Sequence, residues 1–150
     1  RRSIYTYWKR TLPPPAMAAF DAPNREACVT DRGVTNTPLQ AFILMNDPQY
    51  VEASRVLAQH LLSEEGSDQE RLLRAFEHVT SRLPGQEELE LLKIAIARER
   101  ARYHNDISGA QSLIAVGESV PDPALPAAEH AAWTNICGLL LNLSESVTRR

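Results

Sequence analysis

From Thr37 onward, apolar residues recur every three or four positions, the spacing of one helix face, and each run opens on its own start signal. Thr37-Pro38-Leu39-Gln40 has the form of a capping box with proline at the first helical position. It predicts a short helix over 38–46, PLQAFILMN, apolar on nearly every side and therefore buried. Asp47-Pro48 repeats the signal and opens a second helix to about residue 65. Val51, Leu57, Ala58, Leu61 and Leu62 form its stripe, and Gly66 is placed to end it. Ser67-Asp68-Gln69-Glu70, another capping box, starts a third helix. It faces the core with Leu72, Leu73, Phe76, Val79 and Leu83 until Pro84-Gly85 breaks it.

A fourth helix over 86–105 places Leu89, Leu92, Ile96 and Tyr103 on one face, with acids first and arginines last, as the helix dipole favours. Ser108 with Gln111 caps a fifth, which Gly117 closes. ESVPDPALP is a proline loop, and a sixth helix over 127–147 buries Trp133, Ile136, Cys137, Leu140 and Leu143. The N-terminal residues read differently. Residues 1–12 are rich in β-branched and aromatic side chains and read as extended, PPP at 13–15 favours a stiff polyproline stretch, and 16–36 read as mostly irregular. No strand–helix alternation and no internal repeat appears. The expected fold is all-α: a bundle of about six helices over 37–150, with an extended, proline-rich arm over 1–36.

Composition changes little in that picture. The 150 residues suit one domain, and 43% apolar with 23% charged is ordinary for a globular protein. A net charge of −3 sets up no global field for nucleic acid or an anionic membrane, and the longest apolar runs are far short of a bilayer span. The opening Arg1-Arg2-Ser3 carries no signal-peptide pattern, and the chain reads as a piece of a longer protein. Cys28 and Cys137 sit in no CxxC or CxxCH; they could pair in an oxidising compartment, and two buried free thiols are the preferred reading.

Catalytic patterns fail one at a time. His60, His78, His104 and His130 make no HxxxH or HExxH and read as surface or cap residues, so no metal site is expected. Gly117-Glu118-Ser119 starts like a nucleophile elbow, but Pro121 stands at the final glycine position and no strand precedes it. Met17 and Met45 read as core filler rather than haem ligands. Asn142-Leu143-Ser144 matches a glycosylation sequon inside a helical pattern, where so short a match occurs by chance.

Two stretches keep competing readings. In RRSIYTYWKR, aromatic residues flanked by cations would suit single-stranded nucleic acid; the preferred reading is an interface in which Ile4, Tyr5, Tyr7 and Trp8 pack on the bundle or on another module. Ahead of the first bundle helix, Asp21, Asn24, Arg25, Glu26, Asp31, Arg32, Asn36, Gln40 and Asn46 form a polar cluster. Such a set could hold a sugar or carboxylate through bidentate arginine contacts. It could equally satisfy the main chain of an irregular buried segment, and with no histidine or activated nucleophile in the stretch the structural reading is preferred.

That stretch also carries a resemblance. RRSIYTYWKRTLPPPAMAAFDAPNREACVTDRGVTNTPLQAFILMNDPQYVEA is similar to the C-terminal part of the planctomycete and verrucomicrobial PSD domain of unknown function, which accompanies PSCyt cytochrome-c modules. LIAVGESVPDPALPAAEHAAWTNICGLLLNLSESVTR resembles the end of that domain, while 64–107 match in pattern alone. The resemblance implies a C-terminal portion of a larger domain in a long exported protein, periplasmic or in the cell envelope. It implies cytochrome-c or carbohydrate-binding modules as neighbours, with haem c bound by those modules and no cofactor here. It supplies no catalytic residues. The resulting expectation is a non-catalytic structural or interaction module that docks the upstream part of its own polypeptide. One alternative is a fragment of an enzyme or binding site for polysaccharide-related substrates, completed upstream, with Asp21, Arg25, Arg32 and Asn36 contributing. Single-stranded nucleic-acid binding through the arm ranks last.

Overall fold

A computed structural model of the chain describes residues 6–9, 12–23, 28, 30, 33 and 35–148. Among them the regular structure is helical: α1 (Pro15–Ala19), α2 (Pro38–Asn46), α3 (Pro48–Ser63), α4 (Asp68–Thr80), α5 (Gln86–Asn105), α6 (Ile107–Ile114), α7 (Ala127–Leu141) and α8 (Ser144–Val147). The fold is all-α. The chain divides into two compact units, residues 1–43 and 44–150.

In the first unit the polyproline expectation at 13–15 holds at Pro14, with φ −55° and ψ 131°, and is corrected at Pro15. Pro15 opens α1, because proline's fixed φ suits the first helical position and its missing N–H would have no intrahelical partner there. The run before it is not simply extended either: an antiparallel bridge joins Lys9 and Leu12, whose N–H donates to the Lys9 carbonyl at 3.0 Å. The capping box that starts α2 forms, with Gln40 N–H on Thr37 Oγ1 at 3.4 Å and Thr37 N–H on Gln40 Oε1 at 3.3 Å. Full burial of α2 does not follow. Gln40 and Leu44 are buried, whereas Leu39, Phe42 and Met45 are exposed, so an apolar composition all round leaves bare surface here.

The second unit is built around α7, which packs mainly on α3, α5 and α6 and more lightly on α4 and α8. His130 through Thr134, Ile136, Cys137 and Leu140 are buried. Against them α3 sets Ala58 and Leu61, α4 sets Leu72 and Phe76, and α5 sets Leu89, Leu92, Ile96 and Tyr103. Caps fix most helix starts. Asp47 accepts from Gln49 N–H at 2.9 Å, and Ser67 and Glu70 close their box. Glu88 reaches back to Gly85 N–H at 2.7 Å.

Three boundaries are corrected. Asp106, not Ser108, caps α6 by accepting from Gly109 N–H at 2.8 Å, because the first residue able to face that amide lies just after α5 ends. α4 stops at Thr80, where Ser81 turns left-handed at φ 62°, and this leaves Leu83 exposed beyond the helix. The last helix breaks after Leu141, so Asn142 and Leu143 of the sequon lie in the gap between α7 and α8 and Ser144 opens α8.

Arginine forks tie the helix ends together. Arg100 on α5 binds Glu129 on α7 through Nε at 2.8 Å and Asp68 on α4 through Nη2 at 2.9 Å. Glu129 also accepts the buried Trp133 indole N–H at 2.8 Å, and the Arg100 guanidinium holds the Asp68 carboxyl below its usual range. Arg82 joins Glu88 on α5 to Glu145 on α8 at 2.7 Å each and lies 4.7 Å over the Phe76 ring.

The proline loop after α6 is latched to α3. Glu52 accepts from Ser119 N–H at 2.7 Å and from the Ser119 hydroxyl. The fully buried Arg55 donates through Nη2 to the Ser119 carbonyl at 2.9 Å and to its Oγ at 2.6 Å. Gly117 approaches this latch at φ 107°, a left-handed conformation, and a Cβ there would lie 2.5 Å from Glu52 Cδ, so both the conformation and the space call for glycine.

Two outcomes are expected. Asp106→Ala should cost about 1 kcal/mol in denaturant unfolding, whereas Ser108→Ala should stay within about 0.5 kcal/mol. The Ser119 hydroxyl and then the Ser119 and Glu118 amides hold the Glu52 carboxyl down at about 2. A folded value below the unfolded one means that the latch stabilises fully above the ordinary carboxylate range and fades as pH falls toward about 2. The gap in Tm between wild type and Glu52→Gln should therefore hold steady from neutral pH to about 5 and close at lower pH.

Candidate functional site

Of the polar cluster, Asp21 and Gln40 can be followed in detail. Asp21 adopts φ 56°, and its Oδ2 accepts from Thr35 N–H at 2.8 Å and Thr35 Oγ1 at 2.7 Å. The buried Gln40 donates through Nε2 to the Ala19 carbonyl at 2.8 Å and to Thr35 Oγ1 at 3.1 Å. These bonds join α1, the segment at Thr35 and the start of α2 into one unit. Asn36 and Asn46 are exposed. Asn24, Arg25, Glu26, Asp31 and Arg32 lie outside the described residues, as do Ile4 and Tyr5 of the aromatic arm. Tyr7 is 83% exposed and Trp8 half-buried, and Leu12 joins Tyr7 on the surface.

The second unit carries a half-open groove of about 550 Å³. Ile136 and Leu139 of α7, with Val51 of α3 and Leu44 and Met45 of α2, supply apolar lining on one side. Leu91, Ile94 and Ala95 of α5 supply it on the other. Leu91 is 67% exposed and Ile94 65%, unusual for branched aliphatic side chains in mid-helix. The polar lining is mostly committed inside the unit. Thr134 Oγ1 donates to the His130 carbonyl at 2.7 Å, and Asn135 Nδ2 donates to Glu99 at 2.8 Å and to the Tyr103 hydroxyl at 2.9 Å. Arg102 keeps a 3.4 Å contact with Glu99, and Arg98 has no hydrogen-bond or ion-pair partner among the described residues. The groove is suited to receive apolar side chains from another element, with cations at one end of its lip.

The remaining chemistry-bearing residues are dispersed. Burial of His130 corrects its assignment to the surface: its ring lies within the core, Nε2 sits 3.2 Å from the Arg55 carbonyl, and desolvation lowers its pKa. As the neutral tautomer with Nε2 protonated, it donates to that carbonyl. His60, His78 and His104 are exposed. Both cysteines are free, but Cys28 is exposed rather than buried, while burial pushes the Cys137 thiol up to about 12 and leaves it inert. Met45, on the groove lip, is exposed rather than core filler. Among the described residues, no three His, Cys, Asp or Glu side chains gather as a metal site, and no helix is long and apolar enough to cross a membrane.

Sequence reasoning passed over Arg55, Leu91 and Ile94, and weighed Ser119 only within the rejected nucleophile-elbow pattern. A signal existed for the first three. Arg55 falls within the apolar stripe of α3, and Leu91 and Ile94 interrupt the charged side of α5. Nothing near Ser119 pointed to its bonds with Glu52 and Arg55.

The sequence profile of PSD1, a protein of unknown function (DUF1553), matches residues 1–96, which takes in the first unit, α3, α4 and half of α5. The later stretch from Leu113 lies beyond that match. No curated protein and no solved structure matches the chain. With a match over more than half its length, this helical chain belongs to the PSD1 (DUF1553) family.

Proposed function

We propose that the chain is a non-catalytic interaction module at the C-terminal end of a larger exported protein, and that its first unit docks the upstream part of the same polypeptide. One observation carries this reading. The first unit turns Asp21 and Gln40 onto its own backbone and hydroxyl groups, while Tyr7, Leu12 and Leu39 face outward. Polar groups committed in this way are poor ligand donors, whereas exposed apolar side chains gain free energy when a partner covers them, at roughly 25 cal/mol per Å². We take the rest of the setting from what the family resemblance implies: a planctomycete-type multidomain protein, periplasmic or in the cell envelope, whose cytochrome-c modules hold any haem c and whose carbohydrate-binding modules are further neighbours.

The test uses the upstream part of the parent polypeptide, produced separately and titrated into this chain by calorimetry. Binding is expected, and Tyr7→Asp combined with Leu39→Asp should weaken it at least about tenfold with Tm unchanged. Equal binding by the variant, or none by wild type, overturns the reading. So does loss of polysaccharide turnover by the intact parent on Asp21→Ala with Tm unaltered, which would place that carboxylate in an active site.

A further inference from the structure

The lip of the groove is formed by a helix whose exposed face is complementary to itself. Glu87, Leu91, Ile94, Arg98 and Arg102 are spaced four, three, four and four positions apart, so they share one face of α5. All five are exposed, and the order along the helix is acid, apolar, apolar, base, base. The side chains of Glu87 and Arg98 make no hydrogen bond or ion pair with another described residue, and Arg102 keeps a long 3.4 Å contact to Glu99 and lies 5.1 Å over the Tyr103 ring. Elsewhere on α5 the charges are engaged: Glu88 by Arg82, Glu90 by Lys93 at 3.0 Å, and Arg100 by Asp68 and Glu129. The unengaged charges are thus gathered on the same face as the bare aliphatic side chains.

We propose that this face of α5 is a self-association surface, on which a second copy of the chain packs its own α5 antiparallel across the groove. A two-fold axis beside Ile94 sets Ile94 against its copy and lays Leu91 along the aliphatic stem of the partner copy's arginine at position 98. It also brings Glu87 opposite position 102. A parallel arrangement would oppose like charges at both ends of the face, so the charge order selects the antiparallel one. Because a two-fold contact is isologous, each α5 closes the open side of the other's groove, and Leu139 and Met45 are covered in both copies by the same event.

Sedimentation equilibrium over a concentration series tests this. The expected species is a dimer of twice the 16.7 kDa chain mass. Ile94→Asp should raise its dissociation constant at least about tenfold. Glu87→Arg alone and Arg102→Glu alone should each weaken the dimer, and the two together should restore it, because the pairs re-form with exchanged signs. These positions are exposed, so at a dilution where wild type is monomeric helical content should stay at wild-type levels and Tm should shift only slightly, by the charges reversed against the helix dipole, and both are measured alongside. A chain that stays monomeric at every concentration overturns the proposal. So does a dimer indifferent to Ile94→Asp, or one that the double exchange fails to rescue, either of which assigns association to another surface.

Discussion

Burial of α7 on almost every side is the constraint to which the rest of the second unit responds. Ala131, Ala132, Trp133, Ile136, Cys137 and Leu140 leave it no continuous polar face, and each large apolar side chain among them contributes about 1.5–3 kcal/mol when removed from water. The polar groups caught in the same helix must then find partners inside the protein, since an unmet buried donor costs about 1–3 kcal/mol. They do so one neighbour at a time. The Trp133 indole bonds Glu129 within α7, Asn135 bonds Glu99 and Tyr103 on α5, and His130 bonds the Arg55 carbonyl on α3. Neighbouring helices are therefore positioned by both a stripe and a hydrogen bond.

The arginine forks extend that logic to the helix ends. A single exposed ion pair contributes about 0–1 kcal/mol, too little to hold a bundle together. Arg100 differs in that its partner Glu129 is already fixed by the Trp133 indole, so less side-chain freedom is lost when the fork closes. Arg82 gains similarly from its place over the Phe76 ring. Both forks fix helix register more than they add stability. The Ser119 latch differs again, because Arg55 is wholly buried and its Nε and Nη1 meet no acceptor among the described residues. Holding the proline loop at that cost makes the loop's position, rather than net stability, what Arg55 secures.

Much of this fold is legible along the chain, since it rests on local chemistry. Thr37, Asp47 and Ser67 announce helix starts by bonding amides two or three residues away, and the stripes of α4, α5 and α7 meet at the core where their spacing places them. What cannot be read there depends on partners distant in sequence. Nothing local tells that His130 is sealed beneath α3, or that Arg55 will meet a serine 64 positions away. Exposure is equally illegible when composition misleads: α2 looks like a buried helix, yet Leu39, Phe42 and Met45 stand at the surface. That an irregular segment needs side-chain acceptors and donors can be read along the chain, but not that Asp21 meets Thr35 and Gln40 meets the Ala19 carbonyl.

The two units answer the same demand for satisfied polar groups in opposite places, and that difference decides where each can recognise anything. In the second unit most buried polar groups are bonded within the core, Arg55 Nε and Nη1 and His130 Nδ1 excepted, and the groove keeps an aliphatic lip with Glu87, Arg98 and Arg102 beside it. In the first, the Gln40 side chain alone uses both amide hydrogens and one oxygen lone pair, on Ala19, Thr35 and Thr37, leaving a single lone pair of its four bonding sites. An amide so committed cannot turn toward a ligand without releasing α1 and the Thr35 segment, each release costing about 0.5–1.5 kcal/mol per bond. On the docking proposal, recognition by that unit falls to the side chains that its hydrogen bonds do not use. Those are the outward apolar ones, for which covering by another protein surface is the favourable event.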